Sequence, residues 1–221
     1  MTCSNPLLLN TPMDFILQIN SFLAGPCLYI TLTLCAAGLI RKAVIIIEGR
    51  SRGLKFPVFQ PDGEAGALSL AFTGRNPFFA VMSILFHISL IAAPLTARGH
   101  GILLDMSWGI LPPRFNPIFT SSFTGLAMVT GIILLLRRIF LNHVRALSSW
   151  KDYLLIFVVL IPFVTGMMAR GWIGNYEAVM FIHYLGAHIL LVSIGWTRLG
   201  HFVFLSAALF VTSGFCSREA E

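Results

Sequence analysis

The chain has 221 residues, 57% of them hydrophobic and only 11% charged, where an average soluble domain carries about 25% charged residues. So thin a polar shell cannot cover a soluble core, and lipid must take up the remaining apolar surface; the fold class expected is an all-α integral membrane bundle. The formal charge of +6 would suit nucleic acid if it were gathered on one face, but its distribution along the chain argues against that partner.

The N-terminal residues 1–11 carry no basic residue ahead of the first apolar segment, so no cleavable signal is expected. The first apolar stretch covers residues 15–40; Leu23-Ala24-Gly25-Pro26-Cys27 within it lies too deep, with proline before the cysteine, for a lipoprotein cleavage site. The longest connection follows, with Arg41, Lys42, Arg50, Arg52, Lys55 and Arg75 and a turn signal at Phe59-Gln60-Pro61-Asp62-Gly63. A second stretch covers 77–97 and leads into a connection ending in Leu111-Pro112-Pro113-Arg114. The third covers 118–136 and is followed by Arg137, Arg138, Arg145 and Lys151; the fourth covers 153–169 and ends in Arg170-Gly171-Trp172. Each is near the length of about 20 residues that a membrane helix needs.

The fifth stretch, 178–215, is too long. As one helix it would reach about 57 Å, nearly twice the hydrocarbon thickness. Either one projecting or bent helix, or a hairpin at Gly195-Trp196-Thr197-Arg198-Leu199-Gly200, accounts for it, and the single helix is the expectation here. Basic residues concentrate in the first and third connections, whereas the second and fourth hold only Arg98, Arg114 and Arg170. The positive-inside rule then puts the N-terminus outside, the first and third connections and the C-terminus in the cytoplasm, and the chain in the inner membrane as one domain. The charge is a topology signal with some contact to anionic lipid, not a nucleic-acid footprint.

Cys3, Cys27, Cys35 and Cys216 form no C-x-x-C pair, so covalent haem, a Cys₄ zinc site and a cysteine-held iron–sulfur cluster all lack a motif. The histidines are more informative. His143 stands among arginines in a connection, while His87, His100, His183, His188 and His201 fall within or at the ends of the second and fifth stretches. An ionisable group inside a membrane needs a partner or a ligand, and two facing helices that each offer an imidazole can hold an iron between them. For one such histidine alone, hydrogen bonding between helices is the better expectation.

His183 and His201 are 18 residues apart, about five turns and about 27 Å on one helix face. His188 stands about 140° away and is expected to pack on another helix or a haem edge. His87 and His100 are 13 residues apart, about 140° off a common face, unless Pro94 and Gly99 bend or unwind the segment and re-aim His100. Facing direction pairs His100 with His183; axial matching pairs it with His188.

The run from His183 to His201, two histidines 18 apart with Arg198 three residues before the second, resembles the last helix of the respiratory nitrate reductase gamma subunit family. Leu85-Phe86-His87-Ile88 and Gly99-His100 look like that family's ligands on its second helix, although there the two histidines sit closer together. Size and the longer spacing are most similar to the short cytochrome b-type subunit of the Hmc transmembrane redox complex of sulfate-reducing bacteria, with the Dsr and Tmc membrane cytochromes as close alternatives. The resemblance implies five helices and two non-covalent bis-histidine b haems. His87 and His201 would hold the cytoplasmic-side haem, and His100 and His183 the periplasmic-side one. It also implies a cytoplasmic iron–sulfur subunit, a multihaem cytochrome c and further membrane subunits as partners, with menaquinone as a candidate substrate.

Arg198, one turn before His201, is expected to pair a haem propionate or to reach the headgroups. Trp108 and Trp172 fit an aromatic belt. Arg98, Arg114 and Arg170 read as interfacial anchors, and Asp105 and Glu177 are the external carboxylates beyond Asp14, a kind of group that could accept a proton from a quinol. No nucleophilic triad or phosphate loop is present; the role that the resemblance implies is electron transfer as a subunit of an oxidoreductase complex, with quinone oxidoreductase activity left open. The competing expectation is a haem-free anchor whose histidines bond helix to helix.

Overall fold

The structure, a computed structural model, describes residues 12–51 and 77–200. These are helical and turn segments without a strand among the described residues. In chain order they are α1 (Pro12–Phe22), a π turn (Leu23–Cys27), α2 (Leu28–Ser51), α3 (Pro77–Thr96), α4 (Arg98–Trp108), α5 (Pro117–Phe140), α6 (Asn142–Ala146), α7 (Trp150–Arg170), α8 (Tyr176–Trp196) and a 3₁₀ turn (Arg198–Gly200). Five helices are long and apolar enough to cross a membrane: residues 13–45 through α1 and α2, then α3, α5, α7 and α8.

The distribution of side chains suits a lipid solvent. Large apolar residues such as Ile88, Leu95, Val129, Phe157, Ile182 and Ile189 face outward, while Asn20, Thr31, Ser89, Thr130, Thr165 and His188 are buried. Lipid offers no hydrogen bonds, so polar groups turn inward and bond to backbone. The hydroxyls of Thr31, Thr130 and Thr165 accordingly donate to the carbonyls of Cys27, Leu126 and Ile161 at 2.8, 2.6 and 2.8 Å.

Two compact units are distinguishable among the described residues, one of 12–31 with 85–190 and one of 32–51, 77–84 and 191–200. In the first, α5 and α7 pack closely: a Cβ at Gly131 would meet Leu160 Cδ2 at 2.8 Å and Phe86 Cε2 at 3.0 Å. Arg138 ties the connection between them, donating to Ser148 Oγ at 3.2 Å, with Asp152 at 3.9 Å. At the far end Arg170 donates to the carbonyl of Pro117 at 2.7 Å. The expected interfacial anchor is thus a link from the end of α7 to the start of α5.

In the second unit α2 and α8 cross backbone to backbone. A Cβ on Gly38 would lie 2.7 Å from the carbonyl carbon of Gly195, and one on Gly195 would lie 2.8 Å from the carbonyl oxygen of Cys35. Trp196 Nε1 donates to Leu34 at 3.0 Å, and the Lys42 ammonium donates to the carbonyls of Ile194 at 3.2 Å and Thr197 at 2.6 Å. A cation at a helix C-terminus satisfies orphan carbonyls and opposes the negative end of the helix dipole.

Two expectations are corrected. The first helical segment starts at Pro12 and runs to Ser51, longer than 15–40 and interrupted by the π turn at Pro26, because a proline without an N–H widens the turn instead of ending the helix. The connection after the second span holds an 11-residue helix, α4. Within the fifth stretch α8 closes at Trp196 and a 3₁₀ turn follows, at the place named as a bend or hairpin; residues 201–215 of that stretch lie outside the described residues. Lys42 takes two of its terminal carbonyls, and Thr197 Oγ1 accepts from Leu199 N at 3.2 Å. Residues beyond Gly200, His201 among them, lie outside the described residues.

Candidate functional site

The break between α3 and α4 sets the position of His100. Ala97 is extended, with φ −74° and ψ 121°, so α3 stops at Thr96 and α4 restarts at Arg98. Pro94 lies three residues upstream and Gly99 two downstream, the two residues expected to bend this segment. Ending a helix orphans its last carbonyls, and each must find another donor. Thr96 Oγ1 donates to Ala92 at 2.9 Å and to Ala93 at 3.2 Å, and Thr120 Oγ1 donates to Thr96 at 2.8 Å. The carbonyl of Pro94 takes Nδ1 of His100 at 3.0 Å.

A carbonyl only accepts, so the proton of His100 sits on Nδ1 and the lone pair on Nε2. His100 lies beyond the membrane-crossing part of α3, and burial pushes its imidazole below the ordinary value of 6.5 against the opposing pull of the Pro94 carbonyl. The neutral form, the one that ligates a metal, is favoured.

His183 is held by a different oxygen. Its Nδ1 lies 3.1 Å from Thr165 Oγ1, and that hydroxyl also stands 2.8 Å from the carbonyl of Ile161. With the hydroxyl proton on that carbonyl, Oγ1 accepts from Nδ1–H and the lone pair falls on Nε2. Gly166 makes room for the ring: a Cβ there would stand 3.2 Å from His183 Cε1. Gly186 lets α7 and α8 approach, since a Cβ there would lie 2.7 Å from Ile161 Cγ2.

The two rings meet with centroids 6.0 Å apart and planes inclined by 24°. Imidazoles bound to one metal from opposite sides, with metal–nitrogen bonds of about 2 Å and ring centres about 1 Å beyond the nitrogens, have centres about 6 Å apart. The rings are stacked, and their separation is that of a bis-imidazole pair. No cluster of three or more His, Cys, Asp or Glu suited to a metal ion occurs among the described residues; a haem iron asks the protein for two axial ligands at most.

Of the other residues singled out, His87 stands on α3 with its ring edge to Phe86 at 5.7 Å, and Arg198 lies in the 3₁₀ turn. Their expected partner His201 lies outside the described residues. His188, the competing ligand for His100, instead meets the carbonyl of Leu23 through Nε2 at 3.1 Å, the packing on another helix that its angular offset suggested. Trp108 packs edge-on to Tyr29 at 5.6 Å, and Trp172 stacks on Tyr176 at 5.1 Å. Glu177 accepts from the side chain of Asn20.

Thr165 and Asn20 were not singled out from the sequence. A lone asparagine in an apolar span is a signal that could have been read. Thr165 carries no such signal, because a threonine bonded to its own helix is unremarkable in any membrane span.

No family model and no solved structure matches the chain. A protein of Nitratidesulfovibrio vulgaris Hildenborough, described only as "Protein", is 30% identical over 196 residues, covering 83% of this chain and 87% of its own length. The chain and this Nitratidesulfovibrio vulgaris protein belong to one family.

Proposed function

We propose that the chain is a cytochrome b subunit of a respiratory redox complex, in which two bis-histidine b haems carry electrons across the membrane. The observation that carries this reading is the His100–His183 pair: rings 6.0 Å apart, each with Nδ1 held by an oxygen. Outer hydrogen bonds of this kind fix the ring orientation and raise the basicity of the coordinating nitrogen. A bound haem would supply one-electron redox chemistry at this point. The protein's part is to hold both imidazoles neutral and aligned. His87 and His201 are proposed to hold a second haem on the cytoplasmic side, with Arg198 near its propionate.

The basic residues of the first and third connections support an inner-membrane topology with the N-terminus outside. We assign a cytoplasmic iron–sulfur subunit, and either a periplasmic multihaem cytochrome or the menaquinone pool, as the two ends of the electron path. This follows the resemblance to the Hmc-type cytochromes, as does a place in sulfate respiration.

The second reading is a haem-free anchor, and His188 favours it by serving as an interhelical hydrogen bonder. A pyridine haemochrome assay on the natively expressed protein separates the two. About two b haems per chain are expected for the cytochrome, and absence of b haem sinks it.

A further inference from the structure

The seam between α1 and α8 contains two buried acceptors whose orientations are dictated by other acceptors. Asn20 Nδ2 faces the carbonyl of Glu177 at 3.0 Å and its Oε2 at 3.1 Å. Both are oxygens that accept, so the amide nitrogen must lie there and Oδ1 must point away. Asn20 is 7% exposed, and Oδ1 has no hydrogen-bond partner among the described residues.

His188 repeats the pattern one turn further along α1. Its Nε2 meets the carbonyl of Leu23, at the start of the π turn that Pro26 interrupts. A carbonyl demands the Nε2–H tautomer, so Nδ1 carries the lone pair. His188 is 8% exposed, and Nδ1 also has no partner among the described residues. Along α8, Glu177 and His188 are 11 residues apart, about three turns, which puts both on the face turned to α1, about 16 Å apart along the axis.

Two buried acceptors without donors are costly if left dry. Apolar filling satisfies neither. Each needs an O–H or N–H donor of its own, and water is the small donor present on both sides of every membrane. Glu177, half-buried in the first turn of α8, supplies the ionisable mouth. A π turn opposite the inner end is a feature frequent at functional sites.

We propose that the α1–α8 seam is a hydrated inlet: water enters beside Glu177, donates to Asn20 Oδ1 and ends on Nδ1 of His188, bringing that buried imidazole into contact with the aqueous phase. This site is separate from the His100–His183 pair and stands whether or not that pair holds haem.

Thiol accessibility tests it. In a chain whose Cys3, Cys27, Cys35 and Cys216 are replaced by serine, His188→Cys is compared with Val159→Cys, an equally buried apolar position. The probe is 2-aminoethyl methanethiosulfonate, applied to protein in bilayers. The thiolate is the reactive form and needs water, so His188→Cys should react at least about tenfold faster. Equal rates overturn the inlet. Should His188→Cys fail to fold, water-edited solid-state NMR of the unaltered chain decides. Transfer from water to the His188 ring should match that to the exposed His143, and transfer no faster than to Val159 overturns the proposal.

Discussion

The imidazoles of His100 and His183 face each other with ring centres 6.0 Å apart, although one stands on a short helix after a chain break and the other inside the last long helix. Each is oriented by an oxygen on Nδ1, and the two oxygens have different origins: the orphaned carbonyl of Pro94 and the hydroxyl of Thr165. A pair oriented from both sides in this way makes its role testable residue by residue.

Replacing either histidine by alanine should remove one haem and spare the other. The haemochrome content would fall by about half, since each b haem relies on its own pair of axial ligands. Retention of the full content in both variants would count against this pair as ligands.

Thr165→Val keeps the shape of the side chain but removes the hydroxyl partner of His183 Nδ1. Loss of such an outer hydrogen bond weakens metal binding about 10–100-fold. Haem titration of the apoprotein in detergent should show this shift, with helix content unchanged by circular dichroism.

On the proposed function, acid should release a haem bound through His100. Burial holds its imidazole below 6.5, so the folded state binds fewer protons there than the unfolded chain. The neutral side chain favours the fold fully above the unfolded value of about 6.5, and the contribution is lost as pH falls through the folded value. A pH titration of the Soret band in detergent should therefore show no change at neutral pH and a decline only below the ordinary histidine range.

Gly38→Ala should loosen the crossing of α2 and α8, because the new methyl would lie 2.7 Å from the Gly195 backbone. Backbone cannot turn aside as a side chain can, and overpacking of this kind costs about 1–3 kcal/mol. A lowered unfolding temperature in detergent is expected, and an unchanged one would rule out the close crossing.

Lys42→Met should also destabilise the end of α8, by uncovering the carbonyls of Ile194 and Thr197. The cost expected is about 1–3 kcal/mol, that of charge-assisted hydrogen bonds. Faster amide exchange confined to the last turn of α8 would report it.

The number and type of long elements were legible in the sequence alone, because lipid demands long apolar helices and composition records that demand directly. The break at Ala97 was foreshadowed by Pro94 and Gly99, residues whose backbone chemistry is local. The run from Gly195 to Gly200 marked where the last helix could break, but the contact that caps it there was not legible: Lys42, more than 150 positions away in the chain, takes the carbonyls of Ile194 and Thr197. The choice between His183 and His188 likewise belonged to the tertiary structure. Spacing places the two imidazoles about 140° apart on one helix, but only the packed neighbours decide which of them meets His100 and which is taken by the Leu23 carbonyl. Helical periodicity is a property of the chain itself, whereas a tautomer is chosen by whichever oxygen the fold brings alongside.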